Sequence, residues 1–215
     1  MPVALENLVD PASTAVLCME AQRGVVGDLS PIAELADVVQ SSGMASSLAA
    51  LLQAARSAGA QVVYCNAMHR RDRKGSVANA PILARLAKSG DNMIEGTAAT
   101  ENLPEVAPRP EDFVSARYHG MSPFTGTSLD AALRNMGIRT VIATGVSLNV
   151  GIIALCAEAV GLGYRVVVPR DCVAGTPIEY GESVLRFTLP AIAAVTSSKD
   201  IKAAWQAIEA GAKPE

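Results

Sequence analysis

Residues 138–168 read IRTVIATGVSLNVGIIALCAEAVGLGYRVVV, and the way this stretch divides decides the fold. From Thr140 to Ala157 it carries no charge, which is long enough to raise the question of a membrane span. Gly145, Ser147, Asn149 and Gly151 interrupt it. It reads instead as a buried strand at 138–144, a polar turn, a helix over 149–161 and a second strand at 164–168, with Gly163 at the left-handed position that ends the helix. Strand, helix, strand is a βαβ unit, whose strands lie parallel in one sheet.

The same alternation extends in both directions. TAVLCM (14–19), QVVYCN (61–66), DFVSA (112–116) and IAAVT (192–196) bring the strands to six, and helices are predicted over 44–58, 127–136, 179–188 and 199–210. Most of the strands are continuous apolar runs without alternation, as strands covered on both faces should be. Gly59 and Gly137 close helices as Gly163 does. The pattern predicts an α/β protein, a three-layer sandwich around a six-stranded, mostly parallel sheet, as one domain over residues 1–215. Residues 67–111 are the exception, with one short helix at 81–88 among polar and proline-rich stretches that include Pro104, Pro108 and Pro110. Connections of this length in compact domains are usually lids or interface arms.

Composition excludes several classes. With 50% hydrophobic and 18% charged residues the chain has ample apolar surface to bury, so it is not disordered. Eighteen basic against 21 acidic residues leave a net charge of −3, without the footprint of a nucleic-acid binder. The first 22 residues contain no Lys or Arg, so the basic start of an export signal is missing; a cytoplasmic protein without a membrane partner is expected. Four cysteines without C-x-x-C spacing (Cys18, Cys65, Cys156, Cys172) read as reduced, buried apolar side chains. The two histidines, His69 and His119, lack ligand-type spacing, so neither metal nor cofactor is expected.

In an open parallel sheet, ligands bind outside the carboxyl ends of the strands. Glu20 follows the first strand, with Gln22 and Arg23 behind it; His69 follows the second, Arg117 and His119 the third, and the Gly145–Gly151 turn the fourth. A partly desolvated carboxylate at position 20 needs a cationic partner, and Arg117 is the natural one. Such an Arg clamps an anion but cannot shuttle a proton. An ordinary strand-end ion pair is the alternative reading. In GVSLNVG (145–151) Asn149 reads as a helix N-cap, and free amides there attract anions and stabilise an oxyanion. The loop His69–Lys74 holds four of the 18 basic residues. It is either a solvated face or a source of one side chain reaching an acidic substrate from the cleft rim.

AVLCMEAQRG (15–24), SPFTGTSLDAALRNMGIRTVIATGV (122–146), GVSLNVGIIALCAEAVGLGYRVVVPRDCVAG (145–175) and AAVTSSKDI (193–201) resemble motifs of the isochorismatase-like hydrolase superfamily. That superfamily includes isochorismatases, nicotinamidases, N-carbamoylsarcosine amidases and related cysteine hydrolases, and the resemblance implies its Rossmann-like fold. The departures fall on the site: Glu20 stands for the family's general-base Asp, Arg117 for its Lys, and Gly151 for the nucleophilic Cys of the amidases. Cys156 lies five residues further on, inside a helix. Isochorismatases also carry Gly at that place and hydrolyse a vinyl ether with water, using the strand-one carboxyl as acid. Of the metal-binding members' Asp and two His after strand two, His69 matches one position and Ala67 stands where the Asp should be. The family's cis peptide would fall at Val146–Ser147.

The resemblance thus implies a hydrolase without a Cys nucleophile acting on a small anionic metabolite. Glu20 would be its general acid/base and Arg117 would bind the substrate or polarise its leaving group. Gln22 would orient Glu20, the amides of Ser147 to Gly151, including Asn149, would line an anion site, and His119 and Phe124 would form the wall. Two alternatives stay open: a pseudoenzyme that binds a small molecule without turning it over, and an amidase using Ser147 as nucleophile. Self-association into a homo-oligomer is also implied.

Overall fold

Successive side chains of a strand point to opposite faces. Ala15, Leu17 and Met19 therefore look one way and Val16 and Cys18 the other, and all five are fully buried. A strand of this kind must be covered on both sides. The computed structural model describes residues 4–88 and 93–211 and contains β1 (Thr14–Met19), β2 (Gln61–Ala67), β3 (Phe113–Arg117), β4 (Thr140–Val146), β5 (Arg165–Pro169), β6 (Val173–Ala174) and β7 (Ala194–Thr196). The sheet order is β3-β2-β1-β4-β5-β7, with β6 on the end of β4, and every pairing is parallel. The six expected strands are all present, and β6 is a seventh. Two residues carry no periodicity by which a sequence could announce it.

One face of the sheet packs Val16, Cys18, Tyr64 and Ile142 against the helices Ala33–Ser42, Met44–Ala58 and Ser198–Gly211. The other packs Leu17, Val63 and Ala143 against Leu129–Asn135 and Ile153–Gly161. Helix Ala33–Ser42 was not expected, because it buries only Leu35 and Val39 and so shows a thin apolar stripe. The helix expected over 149–161 begins as a wide π-type turn, Leu148–Ile152, before Ile153–Gly161. That over 179–188 divides into Ile178–Ser183 and a second π-type turn, Val184–Thr188. Gly59, Gly137 and Gly163 take the left-handed conformation expected of them. Among the described residues no single helix is long and apolar enough to cross a membrane.

The chain runs β1, β2, β3 outward, then returns to place β4 on the other side of β1. The strand order therefore reverses between β1 and β4, and the crevice beyond their carboxyl ends is where such sheets hold ligands. The described residues between 67 and 111 fold back over this edge. His69 bridges to Ile94, and Gln22, just beyond β1, bridges to Asn102. Helix Pro81–Lys88 is part of this excursion.

Candidate active site

Glu20 follows β1 directly, in the left-handed region (φ 51°), and its amide donates to the Cys65 carbonyl (3.1 Å). Arg117 is the last residue of β3, paired in register with Ala67 of β2. Its side chain reaches across so that Nη2 donates to Glu20 Oε1. The two side chains are 6% and 17% exposed for Arg117 and Glu20 respectively. Arg117 Nε makes a long contact to the Gly120 carbonyl (3.5 Å), and among the described residues Nη1 has no hydrogen-bond partner. Leaving a buried donor unpaired costs about 1–3 kcal/mol.

The pair lies in the wall of a cavity of about 370 Å³, together with His119, Ser147 and Gly151. The rest of the wall is mostly apolar, including Val25, Ile32, Leu35, Met68, Ile82, Leu83 and Met93. The turn after β4 is set by two close approaches. Gly145 has φ +98°, and a Cβ there would collide with the Met19 carbonyl, so only glycine allows β1 and β4 to close at this point. A Cβ on Gly151 would lie 2.8 Å from Met19 Cε and 3.4 Å from Met19 Sδ. The Met19 side chain therefore fills the space that a side chain at position 151 would use. The Val146–Ser147 peptide is cis.

Of the residues singled out from the sequence, Glu20, Arg117, His119, Ser147 and Gly151 line the cavity. The His119 ring packs on Gly126, where a Cβ would come within 2.7 Å of its Cε1. Gln22 lies elsewhere. It is fully buried, its Nε2 donates to the carbonyls of Ala67 and Thr100 (both 2.9 Å), and its Oε1 accepts from the Ala67 amide (2.8 Å). The amide is thus spent on joining β2 to the excursion rather than on orienting Glu20. Phe124 is not a cavity wall: it is 4% exposed, stacked on Tyr164 (centroids 5.9 Å apart), within the second core. Asn149 is not the N-cap, which is Ser147 without a side-chain cap. Asn149 sits inside the π-type turn, accepting from Ser147 Oγ and donating to the Thr176 carbonyl (3.0 Å). The expected row of free amides shortens as well, because Val150 donates to the Ser147 carbonyl (3.1 Å), as does Ile152 just beyond the row (3.0 Å).

The basic loop divides. Arg70 pairs with Asp72 in solvent, whereas His69 and Arg73 line the cavity. His69 Nδ1 lies 3.1 Å from Ser76 Oγ, whose proton goes to the Tyr118 carbonyl (2.8 Å). Ser76 was missed from the sequence, as was Met19, since neither belongs to a pattern that marks chemistry. All four cysteines are buried and unpaired. Burial pushes the thiols of Cys65 and Cys156 up to about 12, and those of Cys18 and Cys172 higher still, so none of them supplies a thiolate. Among the described residues, no three His, Cys, Asp or Glu side chains gather as a metal-ligand set.

A family model described as the Isochorismatase domain matches residues 14–200. An uncharacterized isochorismatase family protein of Bacillus subtilis is 29% identical over 186 residues, 86% of this chain and 89% of the relative. Maleamate amidohydrolase of Pseudomonas putida is 31% identical over 125 residues, 58% of this chain and 57% of that one. The solved structure of an isochorismatase family protein from Burkholderia thailandensis matches with a TM-score of 0.74 at 22% identity, covering 91% of this chain and 96% of the other. By the family model, which spans most of its length, the chain belongs to the isochorismatase family of hydrolases.

Proposed function

We propose that the protein hydrolyses a small metabolite with water, without a thiol nucleophile. The observation that carries this reading is the Glu20–Arg117 pair in the wall of a cavity whose turn offers only Gly151 at the nucleophile's place. Glu20 takes a proton from water as the water oxygen bonds to the electrophilic carbon. It then returns that proton to the leaving atom as the old bond breaks, so OH ends on one product and H on the other. Arg117 cannot move a proton, but its unpaired Nη1 can hold the substrate oxygen on which charge develops. Because Glu20 already balances the guanidinium, Nη1 calls for an oxygen acceptor, carbonyl or carboxylate, more than for net negative charge.

The relative named maleamate amidohydrolase makes small amides the first class to try. The test is a panel of carboxamides, ureides, imides and enol ethers incubated with the full chain and read by product formation. For any accepted substrate, Glu20→Gln is expected to lower kcat/KM by about 10²–10⁴-fold with circular dichroism unchanged. Undiminished turnover in that variant would remove Glu20 from the reaction.

A second reading, a binder without turnover, draws support from Met19 filling the space at position 151 and from the Glu20 carboxylate being already engaged. The same panel separates the two, since a ligand that raises Tm and yields no product favours the binder. Ser147 as nucleophile finds no support, because its Oγ donates to Asn149 Oδ1, an amide oxygen that cannot serve as the base.

A further inference from the structure

Helix Pro81–Lys88 reads PILARLAK and carries Ile82, Leu83 and Leu86 on one side. An amphipathic helix normally hides such a stripe in a core, yet no side chain of this helix is fully buried, and Ile82 is 38% exposed. Among the described residues, neither Ile82 nor Leu83 joins either core cluster. Both line the cavity, Leu83 half-buried, as do the exposed Val77 and Met121. Val25, Ile32 and Leu35 of the first core contribute to the same wall. Apolar surface left open in this way is unfavourable unless something covers it.

The covering group must also answer the other open feature of the cavity, the unpaired Nη1 of Arg117 on a side chain only 6% exposed. A second copy of the chain docked on the helix would cover Ile82 but would bring no acceptor to an enclosed guanidinium. A small amphipathic guest does both. We propose that the substrate joins one oxygen acceptor, held by Arg117, to an apolar body held between helix Pro81–Lys88 and the Ile32–Leu35 wall. At about 30 Å³ for each water-sized group, the 370 Å³ cavity accommodates roughly a dozen non-hydrogen atoms. Ile82 and Leu83 then determine specificity, and the 67–111 excursion is what tailors the family's strand-end site to an apolar substrate. The inference rests on Glu20 and Arg117 forming the reacting end.

The test is a homologous series of straight-chain amides, propanamide to octanamide, titrated into the isotope-labelled full chain and followed by amide chemical shifts. Dissociation constants are expected to fall about fourfold per added methylene, from about 0.8 kcal/mol per buried CH₂, or about a thousandfold across the series. The double variant Ile82→Ser, Leu83→Ser is expected to reduce the gain to less than twofold per methylene. Ala87→Phe, which adds bulk to the same wall, is expected to end the gain at a shorter chain. A gain below twofold in the unaltered protein overturns the inference. So does a full gain retained in the double variant, and if sedimentation velocity then shows a lower mass for that variant, a second copy is the true occupant. A flat series beside an intact Glu20→Gln defect sinks only this inference, whereas a steep series with undiminished Glu20→Gln turnover sinks only the catalytic reading.

Discussion

One five-residue strand, β3, is held at each end by a buried arginine–carboxylate pair, and the two pairs are built differently. Just before it, Asp112 meets Arg56 of helix Met44–Ala58 through two bonds, Nε to Oδ1 (3.1 Å) and Nη2 to Oδ2 (2.7 Å). The Tyr64 hydroxyl accepts a further bond from Nη2, and the Arg109 amide donates to Oδ2. At its far end Arg117 meets Glu20 through one nitrogen, and Nη1 stays unpaired. Both pairs are largely out of water, at 12% and 2% exposure for Arg56 and Asp112 against 6% and 17% for Arg117 and Glu20. Burial therefore does not separate them. The bonding pattern does: a two-pronged pair with further partners fixes geometry, while a pair with a buried donor to spare inside a cavity is arranged for a partner that comes and goes.

The largest effect on stability is expected at the two-pronged pair. Arg56→Met leaves Asp112 as a buried carboxylate without its cation, a loss of about 3–5 kcal/mol, read as a lowered urea midpoint, while ligand affinity at the cavity stays as it was. Arg117→Met is expected to cost less, about 1–3 kcal/mol, because Glu20 keeps some contact with water and lies between the buried and exposed regimes. That variant should nevertheless lose binding of the shorter amides altogether. If Arg117→Met proved the more destabilising of the two and left binding intact, the second pair would be scaffold as well.

Much of this contrast is legible in the sequence, and the unread part has a common cause. Strands such as TAVLCM and QVVYCN announce themselves because burial on both faces leaves their middles, Ala15–Met19 and Val62–Cys65, a continuous run without charged or amide side chains. Glu20 and Arg117 could be paired in advance because strand ends in a parallel sheet converge on one edge. Gln22, Phe124 and Asn149 follow the same strand ends in sequence, but each side chain goes elsewhere: Gln22 into the β2 junction, Phe124 onto Tyr164, and Asn149 against Thr176. Sequence position names the edge; rotamer and backbone turn decide who faces the cavity. The number of bonds across such a pair is less legible still. Whether an arginine meets its carboxylate through one nitrogen or two depends on how neighbours such as Tyr64 and Arg109 orient the two groups, which no spacing rule ties to Arg56 or Asp112.

The same criterion extends from polar groups to apolar ones, where the expected effect is smallest. A leucine that belongs to a core, such as the fully buried Leu133, loses about 2–5 kcal/mol on truncation to alanine because its contacts vanish and a void remains. Leu83 lies on a helix that buries no side chain fully and stands outside both cores. Leu83→Ala should therefore change stability by no more than about 0.5 kcal/mol, the range of ordinary surface positions, in urea titrations without ligand. With octanamide present, the unaltered chain should gain more stability than the variant, since a ligand that binds only the folded state stabilises by an amount that rises with the logarithm of its affinity. A core-sized loss without ligand would mean that Leu83 is already fully used by the fold. Its place in the cavity wall would then be incidental.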